Sequence, residues 1–452
     1  MESAPLPKTS WCNPLALPSL GESLWVGNGV VHRQASDPSV YRENGVWYLF
    51  SSCGFLWTSA DDGATWRAEP NPQGFRGWGP GAATHNGRYY YMPDIEGTIF
   101  VADKPGGPYT KLGKVEMPDV PGIVSQADAN LFSDNGHLYY QWGCSAQGGI
   151  WGCELDAENP LKVIAPPREL IGFDPVGQPW EKLANMPENG WIEGASMVKL
   201  RGRYGLIFSA GGTENQTYAM GAAWSDSPLG PFVLQKDNPV FINSTGFVTG
   251  TGHGCIVPDE RGRLWAFSCC LVGDVHKFER RIAMDRIFLD DHGDLIPAHA
   301  SSVPQAIDGS FAWARIPVET DAVAVADEKR NTYAEFGPSR TIECQFRRPT
   351  EVRAFRICWR EGGYDPRAGV PAGPFRYRVH LKGLDGSWTV YHDASESTED
   401  LLVDFRETAP QTATAVRLEL VSAPAGIRPG VFDFALFQVA KVQDASRCRS
   451  RR

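Results

Sequence analysis

Three carboxylates stand at equivalent places in successive β-rich segments of this chain of 452 residues. They are Asp37 in ASDPSV, Asp128 in SQADANLF and Glu193 in WIEGASMV. Each precedes a stretch that is typical of a strand, a polar Gly-containing turn and an aromatic strand. If these segments pack around one axis, the acids converge on one pocket. Cleavage of a glycosidic bond needs such a set, because one carboxylic acid protonates the leaving oxygen while a carboxylate activates water or attacks the anomeric carbon.

The segments that carry these acids belong to an internal repeat, and a repeat of this size is typical of propellers and other arrays. Each copy has two β-branched and aromatic runs around an Asn-Gly, Arg-Gly or longer Gly-containing turn, which indicates a hairpin. A third strand-like run follows each hairpin. The hairpins are DPSVYRENGVWYLFSS, GAATHNGRYYYMPD, DANLFSDNGHLYYQWG, GASMVKLRGRYGLIFSAGG and GCIVPDERGRLWAFSCC. We therefore predict an all-β chain that contains a five-bladed β-propeller.

The pattern changes after about residue 297, where AHASSVPQAIDGS is small, polar and turn-prone. Later runs such as EVRAFRICWR, FRYRVHLKG and TAVRLELV alternate as the strands of an antiparallel β-sandwich do. A long insertion at residues 165–190, just before Glu193, is expected to shape the rim of the pocket. The predicted order is an N-terminal extension, the propeller, a linker, the sandwich and a basic tail, at residues 1–24, 25–300, 301–315, 316–442 and 443–452.

Composition limits the classes of partner. Hydrophobic residues make up 42% of the sequence and aromatic residues 11%, so the chain can bury more than one core and offer stacking surfaces to sugar rings. The formal net charge of -10 is opposite to the basic face that nucleic-acid binding usually shows. No apolar run is long enough for a membrane span. We expect an oligosaccharide or polysaccharide substrate, no nucleic-acid or membrane partner, and a monomer or small homo-oligomer.

The cysteines and the first residues bear on the cellular compartment. The 10 cysteines are scattered without paired CxxC spacing, which disfavours a zinc framework. The start, MESAPLPKTSWCNPLALPSL, lacks the charged region and apolar run of a signal peptide. Reduced core thiols in a cytoplasmic protein are therefore expected. The alternative is the mature form of a secreted protein.

Several segments together resemble glycoside hydrolase family 43, a family of five-bladed propeller enzymes that act mainly on arabinofuranosides, xylosides and some galactosides. They are, in order, ASDPSV, IEGAS, YAMGAAWSDSPLGPF, GTGHGCIV and RRIAMDRIFLDDHG. This resemblance covers about residues 30–297, while VRAFRICW, LDGSWTVY, AVRLELV and VFDFALFQV are similar to discoidin-like carbohydrate-binding sandwiches. It implies an inverting, exo-acting glycosidase, first an α-L-arabinofuranosidase and next a β-xylosidase.

The resemblance assigns Asp37 as the general base, Glu193 as the general acid, and Asp128 as the group that tunes the pKa of the acid and orients it. Crowded carboxylates raise one another's pKa by repulsion, so one of them can stay protonated near neutral pH. Glu193 follows an apolar pair of residues, where partial desolvation is also expected to raise its pKa. Ala129 stands where the family usually has a proline. Considered alone, an Asp before Pro such as Asp37 is more often a turn former.

Aromatic and cationic residues supply candidates for substrate binding. Phe55, Trp78 and Trp142 could each stack on the apolar face of a sugar, and packing between blades is the alternative for each. Arg280 could hold the base or a substrate hydroxyl, although adjacent arginines more often form surface ion pairs. The histidine that matches His253 often faces water or calcium in the central channel of the resembled family. No cofactor is expected to be required, and a structural Ca²⁺ in that channel would be reached by His253 through water, because calcium prefers oxygen ligands.

The same sequence is compatible with other propeller functions. Residues 59–66, SADDGATW, match the Asp-box turn of sialidase propellers, which is a fold element remote from the chemistry. A sialidase would also need an arginine triad and a Tyr-Glu nucleophile pair, and a fructan-cleaving propeller needs an Arg-Asp-Pro motif that the sequence lacks. A retaining hydrolase of either type and a non-catalytic glycan-binding propeller are the alternatives. In the sandwich, Trp388 and Tyr364 could bind sugar or belong to the core.

Overall fold

The structure is a computed structural model that describes residues 8–19, 25–27, 30–52, 54, 56–69, 77–93, 96–146, 148–183 and 186–440. Over these residues the regular secondary structure is almost entirely antiparallel β-strands, as predicted. The helices in this part of the chain are short 3-10 turns at Pro179–Glu181, Val323–Val325 and Pro366–Ala368. None of them has the length and apolar character that a membrane span requires.

Successive antiparallel sheets form the blades of a propeller. Blade 1 contains the strands Ser36–Glu43, Val46–Ser52, Leu56–Ser59 and Arg67–Glu69. Blade 2 contains Gly81–His85, Arg88–Met92, Thr98–Ala102 and Thr110–Lys114. Blade 3 contains Asn130–Asp134, His137–Trp142, Ile150–Leu155 and Val163–Ile171. Blade 4 contains Cys144–Ser145, Ile192–Leu200, Arg203–Ala210, Ala219–Ser225 and Val233–Leu234. Blade 5 contains Cys255–Pro258, Leu264–Leu271 and Arg280–Ile287.

The blades close into a ring through their inner strands. The inner strand of each blade contacts that of the next, and Cys255–Pro258 of blade 5 returns to Ser36–Glu43 of blade 1. The hairpins that build the blades turn where the sequence predicts, since Asn44 and Gly45 have φ of 51° and 79°. Such positive φ values are what a two-residue hairpin turn of Asn-Gly type requires. The predicted five-bladed propeller is thereby confirmed.

The Asp-box turn joins the third and fourth strands of blade 1. The carboxylate of Asp61 accepts hydrogen bonds from Ser59 Oγ and from the backbone N–H of Thr65, each at 2.9 Å. Trp66 is buried, and its Nε1 donates to the backbone oxygen of Gly63 over 3.1 Å. The motif therefore stabilises an outer turn of the blade and holds an indole in the core.

Both segments that flank the propeller in the predicted division pack onto it. Ser10–Trp11 pairs with Gln305–Ala306, which lies in the stretch predicted to be a linker. Trp11 is buried, and its Nε1 donates to the backbone oxygen of Met284 in blade 5 over 2.7 Å. The end of that stretch, Trp313–Arg315, is already a strand of the sandwich. Burial of apolar side chains such as Trp11, Leu15 and Ala306 holds the described parts of these segments on the propeller.

The C-terminal strands form one antiparallel network around its own apolar core. Its strands are Trp313–Arg315, Val318–Glu319, Ala334–Glu335, Thr341–Gly362, Arg376–Lys382, Trp388–Asp393, Val403–Ser422 and Arg428–Val439. The two longest strands pair through register shifts, at which a sheet bends. Tyr364 is buried against this core, whereas the ring of Trp388 lies under the guanidinium of Arg417 at 4.1 Å.

Propeller and sandwich are packed together by a shared core. Cys358, Val403 and Phe432 of the sandwich belong to the same apolar cluster as Phe247 and Val248 of the propeller. Short two-stranded pairs complete the described structure. They are Pro18–Ser19 with Asp400–Leu401, Trp25–Gly27 with Val30–His32, and Lys182–Leu183 with Met186–Gly190. The cysteines of the described residues are free thiols.

Candidate active site

The inner strands bring Asp37, Asp128, Glu193 and His253 together at one end of the propeller axis. The Nδ1 atom of His253 lies 3.4 Å from Oδ1 of Asp37 and 3.8 Å from Oδ2 of Asp128. Side-chain atoms of Asp128, Glu193 and His253 lie within 4.8 Å of one another. All four residues are buried. Since each comes from or directly precedes the first long strand of a different blade, only closure of the ring assembles this cluster.

A left-handed backbone recurs at this cluster. The φ angles of Asp37, Asp128 and His253 are 53°, 54° and 40°, and Gly79 and Gly194 beside them have 53° and 68°. This conformation is unfavourable for residues with a Cβ atom, so the surrounding structure has to hold it. Backbone strain of this kind concentrates at functional sites. It turns the start of each inner strand so that the side chain meets its neighbours at the axis.

Asp37 is held as an ionised carboxylate. Arg280 donates from Nη1 to Oδ1 over 2.7 Å and from Nη2 to Oδ2 over 3.0 Å. Ser52 Oγ donates to Oδ2 over 2.5 Å, and the Cys269 thiol lies 3.4 Å from Oδ1. Burial by itself would raise the pKa of Asp37, but Arg280, His253 and these donors outweigh it and lower that pKa to about 2. This carboxylate suits a proton acceptor and not a proton donor near neutral pH.

Glu193 is oriented by a different set of donors. The buried Tyr218 hydroxyl donates to Oε1, and Trp191 Nε1 donates to Oε2 over 2.8 Å. The Cys144 thiol lies 3.2 Å from the same Oε2 atom, because Cys144–Ser145 pairs with the strand that carries Glu193. Burial and the neighbouring Glu193 raise the pKa of Tyr218, so its hydroxyl keeps the proton that it donates. The carboxyl group is thus aimed by three neighbours.

Asp128 differs from Asp37 in that its surroundings raise its pKa. Burial is the largest influence and raises its pKa; His253 opposes this, Glu193 and Asp37 add to it, and the result is a pKa of about 7. Its Oδ2 also accepts a hydrogen bond from the Gly194 backbone over 3.0 Å. Burial would lower the pKa of His253, but the three carboxylates around it raise that pKa. The charge of each of these two groups, Asp128 and His253, therefore affects the pKa of the other.

Gly79 connects the second blade to this cluster and leaves no room for a side chain. A Cβ atom there would lie 2.1 Å from Oδ1 of Asp128 and 3.1 Å from Cε1 of His253. Its backbone N–H donates to Ser52 Oγ over 3.0 Å, and that hydroxyl in turn donates to Asp37. The glycine therefore allows the backbone of blade 2 to approach the acids closely.

The predicted sugar platforms have different places in the structure. Trp78 is 42% exposed next to Gly79, and its ring centroid lies 6.5 Å from that of Phe278. Trp142, by contrast, is fully buried in an apolar cluster of blades 2 and 3, and its Nε1 donates to the backbone oxygen of Val124 over 3.3 Å. Its prediction as a sugar platform is wrong, because a ring in that core presents no face to a ligand. Phe55 lies outside the described residues.

The predicted insertion, residues 165–190, lies beside Glu193. The ring of Trp180 packs on Phe208 with centroids 5.5 Å apart. The backbone N–H of Trp191 donates to the oxygen of Glu181 over 3.4 Å, so the insertion ends directly on a residue that orients the acid. This contact links the insertion, whose first part belongs to the blade 3 strand Val163–Ile171, to the position of a site residue.

Sequence reasoning missed Tyr218, Trp191, Cys144 and Phe278 as parts of the site. Trp191 stands two residues before Glu193, and side chains two apart in extended backbone share a face, so the motif WIEGAS contained a usable signal. Tyr218 begins the segment YAMGAAWSDSPLGPF but has no feature that distinguishes it from a core tyrosine. Cys144 belongs to another blade in the sequence, and no local pattern relates it to the acid.

The acids and His253 are candidate ligands for calcium. Asp128, Glu193 and His253 could offer two oxygen atoms and one nitrogen atom to a cation. Both Glu193 oxygens already accept hydrogen bonds, from Tyr218 and Trp191. Calcium takes roughly six to eight oxygen ligands, so these side chains do not fit a directly bound Ca²⁺. Contact between His253 and calcium through water stays a prediction.

Buried acids at the propeller axis, one held ionised by arginine and one oriented by neutral donors, supply the pair of carboxyl groups that glycoside cleavage requires. Residues 55–294 match the description "Glycosyl hydrolases family 43", and the chain belongs to this family.

Curated relatives are similar over part of the chain. It is 28% identical over 203 residues to the β-D-galactofuranosidase xynD of Aspergillus niger, a match that covers 43% of this chain and 53% of that protein. It is 29% identical over 263 residues to the xylosidase/arabinosidase 43A of Humicola insolens, covering 48% of this chain and 74% of the relative. The chain thus spans about half the length of the first relative, at 53%.

Among solved structures, the fold is similar to that of a family 43 protein of Bacillus licheniformis, BlXynB. The TM-score is 0.51 and the identity 14%, with 95% of this chain and 100% of that chain covered. At this identity the likeness concerns the fold alone.

Proposed function

We propose that this glycoside hydrolase is an inverting, exo-acting enzyme that removes terminal arabinofuranosyl residues, or else xylosyl residues, from plant-type or related glycans. The observation that carries the proposal is the contrast between Asp37 and Glu193. Asp37 is kept ionised by the two terminal nitrogens of Arg280, while Glu193 is surrounded by the neutral donors Tyr218, Trp191 and Cys144. A glycosidase needs one proton acceptor and one proton donor, and we assign these roles to Asp37 and Glu193.

In the proposed reaction Asp37 accepts a proton from water while the water oxygen attacks the anomeric carbon. Glu193 donates its proton to the glycosidic oxygen as the bond from that oxygen to the anomeric carbon breaks. The products are the free sugar with inverted configuration and the leaving alcohol, and the two carboxyls regain their starting protonation by exchange with solvent. This route predicts a carboxyl separation of roughly 6.5 to 9.5 Å, which leaves room for the water.

Asp128 is proposed to modulate and orient the acid without contacting the broken bond. Its place within 4.8 Å of Glu193 and its hydrogen bond from Gly194 support this role. The imidazole of His253 lies between Asp128 and Asp37, so the charge of Asp37 affects Asp128 through it. Trp78 is proposed to meet the substrate, since it is exposed beside the acids. Arg280 is proposed to act on the base, since its guanidinium is buried against Asp37 and Thr213.

Galactofuranosyl release is the second candidate, because one curated relative is named as a β-D-galactofuranosidase and the other as a xylosidase/arabinosidase. No cofactor is proposed to be required. A retaining mechanism and a non-catalytic glycan-binding role are the outcomes against which the proposal is to be tested.

The test is hydrolysis of nitrophenyl α-L-arabinofuranoside, β-D-xyloside and β-D-galactofuranoside by the intact protein, Asp37→Asn and Glu193→Gln. Asp134→Asn is a matched control. Asp134 is a carboxylate at the end of the first strand of blade 3, and it pairs with Lys199 of blade 4. Release that both site variants abolish and the control retains would support the proposal and identify the sugar. Activity that survives in both site variants would contradict the assigned site.

Two further readouts separate the mechanisms. Proton NMR during the first turnovers reports the anomer released, and a product of retained configuration would contradict inversion. Digestion of arabinan and xylan distinguishes exo from endo action, since an exo enzyme releases only the terminal sugar. Binding to these polymers without hydrolysis would indicate a glycan-binding propeller.

A further inference from the structure

Residues 33–35 connect the sandwich to the active site. They lie between the strands Val30–His32 and Ser36–Glu43, so Asp37 follows within the next few residues. The backbone N–H of Ala35 donates to the oxygen of Arg280 over 3.0 Å, and Arg281 Nη1 donates to the oxygen of Arg33 over 3.1 Å. This short segment therefore runs along the strand that carries the partner of Asp37.

Arg33 joins this segment to two carboxylates of the sandwich. Its Nε and Nη2 donate to the two oxygens of Glu361 over 2.9 and 2.5 Å. Its Nη1 and Nη2 donate to the two oxygens of Asp400 over 2.5 and 3.0 Å. The Arg33 side chain is only 2% exposed. Paired bonds between a guanidinium and a carboxylate fix orientation as well as distance, so the sandwich determines where this part of the segment lies.

Gln34, the next residue, acts on the other side of the segment. Its Oε1 accepts a hydrogen bond from Nε of Arg280 over 3.2 Å. The Nη1 and Nη2 atoms of the same guanidinium hold Asp37, and Nη1 also donates to Thr213 Oγ1 over 2.8 Å. Because a guanidinium is planar, an acceptor on Nε restrains the plane in which the other two nitrogens meet the carboxylate.

We propose that the C-terminal sandwich positions Asp37, the general base. It does so through the contacts of Arg33 with Glu361 and Asp400 and the contact of Gln34 with Arg280. Gln34 is then a positioning residue for Asp37, and the sandwich is part of the catalytic unit. The inference rests on the proposed function of Asp37 as the base.

Another ion pair at the same interface supplies a control. Arg360 of the sandwich pairs with Glu335 at 3.0 Å and with Asp274 of the propeller at 2.9 Å. Like Arg33, it is a buried arginine with two carboxylate partners, and one of them, Asp274, lies across the junction of the domains. None of its hydrogen bonds in the described part of the chain reaches residues 33–37 or Arg280. A general weakening of the interface would therefore be seen in an Asp274 variant as well as in a Glu361 variant.

The experiment measures kcat, KM and thermal unfolding of the full chain with the nitrophenyl glycoside that it cleaves fastest. The variants are Gln34→Met, which removes the acceptor at similar volume, Glu361→Gln, their double variant, and the control Asp274→Asn. We expect Gln34→Met to lower kcat about tenfold with KM changed less than about twofold, because misplacement of the base affects the reaction more than ground-state binding. Glu361→Gln should lower kcat in the same way but by less.

Coupling decides the proposal. If Glu361 acts through Gln34, the double variant loses about as much as Gln34→Met alone, whereas independent effects would multiply. Multiplied losses, a loss in KM alone, or kcat unchanged in both folded single variants would overturn it, as would an equal loss in Asp274→Asn. If Glu361→Gln does not fold, Asp400→Asn removes the other carboxylate and takes its place. Asp37→Asn in the same series separates the two proposals, since activity in that variant would contradict the base assignment itself.

Discussion

Arg280 meets Asp37 as a fork, with Nη1 2.7 Å from Oδ1 and Nη2 3.0 Å from Oδ2. Both side chains are 3% exposed, so water contributes little to the stability of either charge. Burial alone would raise the pKa of Asp37, yet Arg280 and the other neighbours lower it to about 2. The pair thus keeps a buried carboxylate ready to accept a proton at any moderately acidic or neutral pH.

Removing the fork should change the pH dependence of the reaction. In Arg280→Ala burial would dominate, the pKa of Asp37 would rise, and the acidic limb of kcat/KM would move to higher pH. Arg280→Lys keeps a positive charge without the fork, so its limb should move less. At neutral pH we expect kcat/KM of Arg280→Ala to fall by about 10²-fold or more. The measurement is kcat/KM between about pH 3 and about pH 8. The lower end of this range includes the ordinary pKa of a carboxyl group.

The Arg280–Asp37 pair should also make the stability of the fold depend on pH. Because the folded pKa of Asp37 lies below its unfolded value, its pairing stabilises the fold above the ordinary carboxyl range and is lost as pH falls toward about 2. Acid unfolding of Arg280→Ala should therefore begin at higher pH than that of the intact protein. An acidic limb and an acid-unfolding midpoint that both stay in place would contradict the role of this pair.

The leaving group should separate the acid from the base. Glu193→Gln removes the proton donor, and a poor leaving group depends on that proton far more than an activated aryl group does. We expect Glu193→Gln to lose about 10²- to 10⁴-fold on an alkyl glycoside and much less on a dinitrophenyl glycoside of the same sugar. Asp37→Asn should lose similar factors on both, because attack by water limits both reactions. Steady-state kinetics on the paired substrates tests this, and equal losses in Glu193→Gln would remove it as the acid.

A methyl group at Gly79 should damage the site, whereas the same change at Gly87 should not. Both glycines have positive φ, 53° and 72°, so alanine costs backbone strain of about 1–2 kcal/mol at each. Only at position 79 would the Cβ atom collide with a site residue, at 2.1 Å from Oδ1 of Asp128; at position 87 nothing lies within 4 Å. We expect Gly79→Ala to lose about 10²-fold in kcat/KM and Gly87→Ala to keep its activity. Denaturant unfolding of both variants measures the loss of stability that the backbone strain causes in each. Equal kcat/KM in the two variants would contradict the steric argument.

The two tryptophans should behave in opposite ways. Trp142→Ala empties a fully buried site and should lower the free energy of unfolding by about 3–5 kcal/mol. Trp78 is 42% exposed, so Trp78→Ala should change stability by no more than about 0.5 kcal/mol while raising KM about fivefold through loss of a stacking face. Urea unfolding and KM on the same preparations are the measurements. An unchanged KM in Trp78→Ala would remove it from the substrate platform.

Local pattern was enough for much of the architecture. Turns such as Asn44-Gly45, with alternation on either side, indicated hairpins at the places where the structure has them, because turn chemistry and strand period act over a few residues. Repetition of that unit led to the five-bladed prediction. The segments that flank the propeller were harder, since Trp11 and the partners of its strand are far apart in the chain.

What the sequence by itself determined was the type of unit, its repetition and the placing of Asp37, Asp128 and Glu193 near the starts of inner strands. Only the tertiary structure decided that Arg280, 243 residues away, binds Asp37, that Cys144, 49 residues before Glu193, contacts it, and that Trp142 belongs to the core. The reason is that periodicity specifies which face of its own strand a residue occupies. Burial, hydrogen-bond partners and pKa depend on distances between blades, and those distances exist only when the ring has closed.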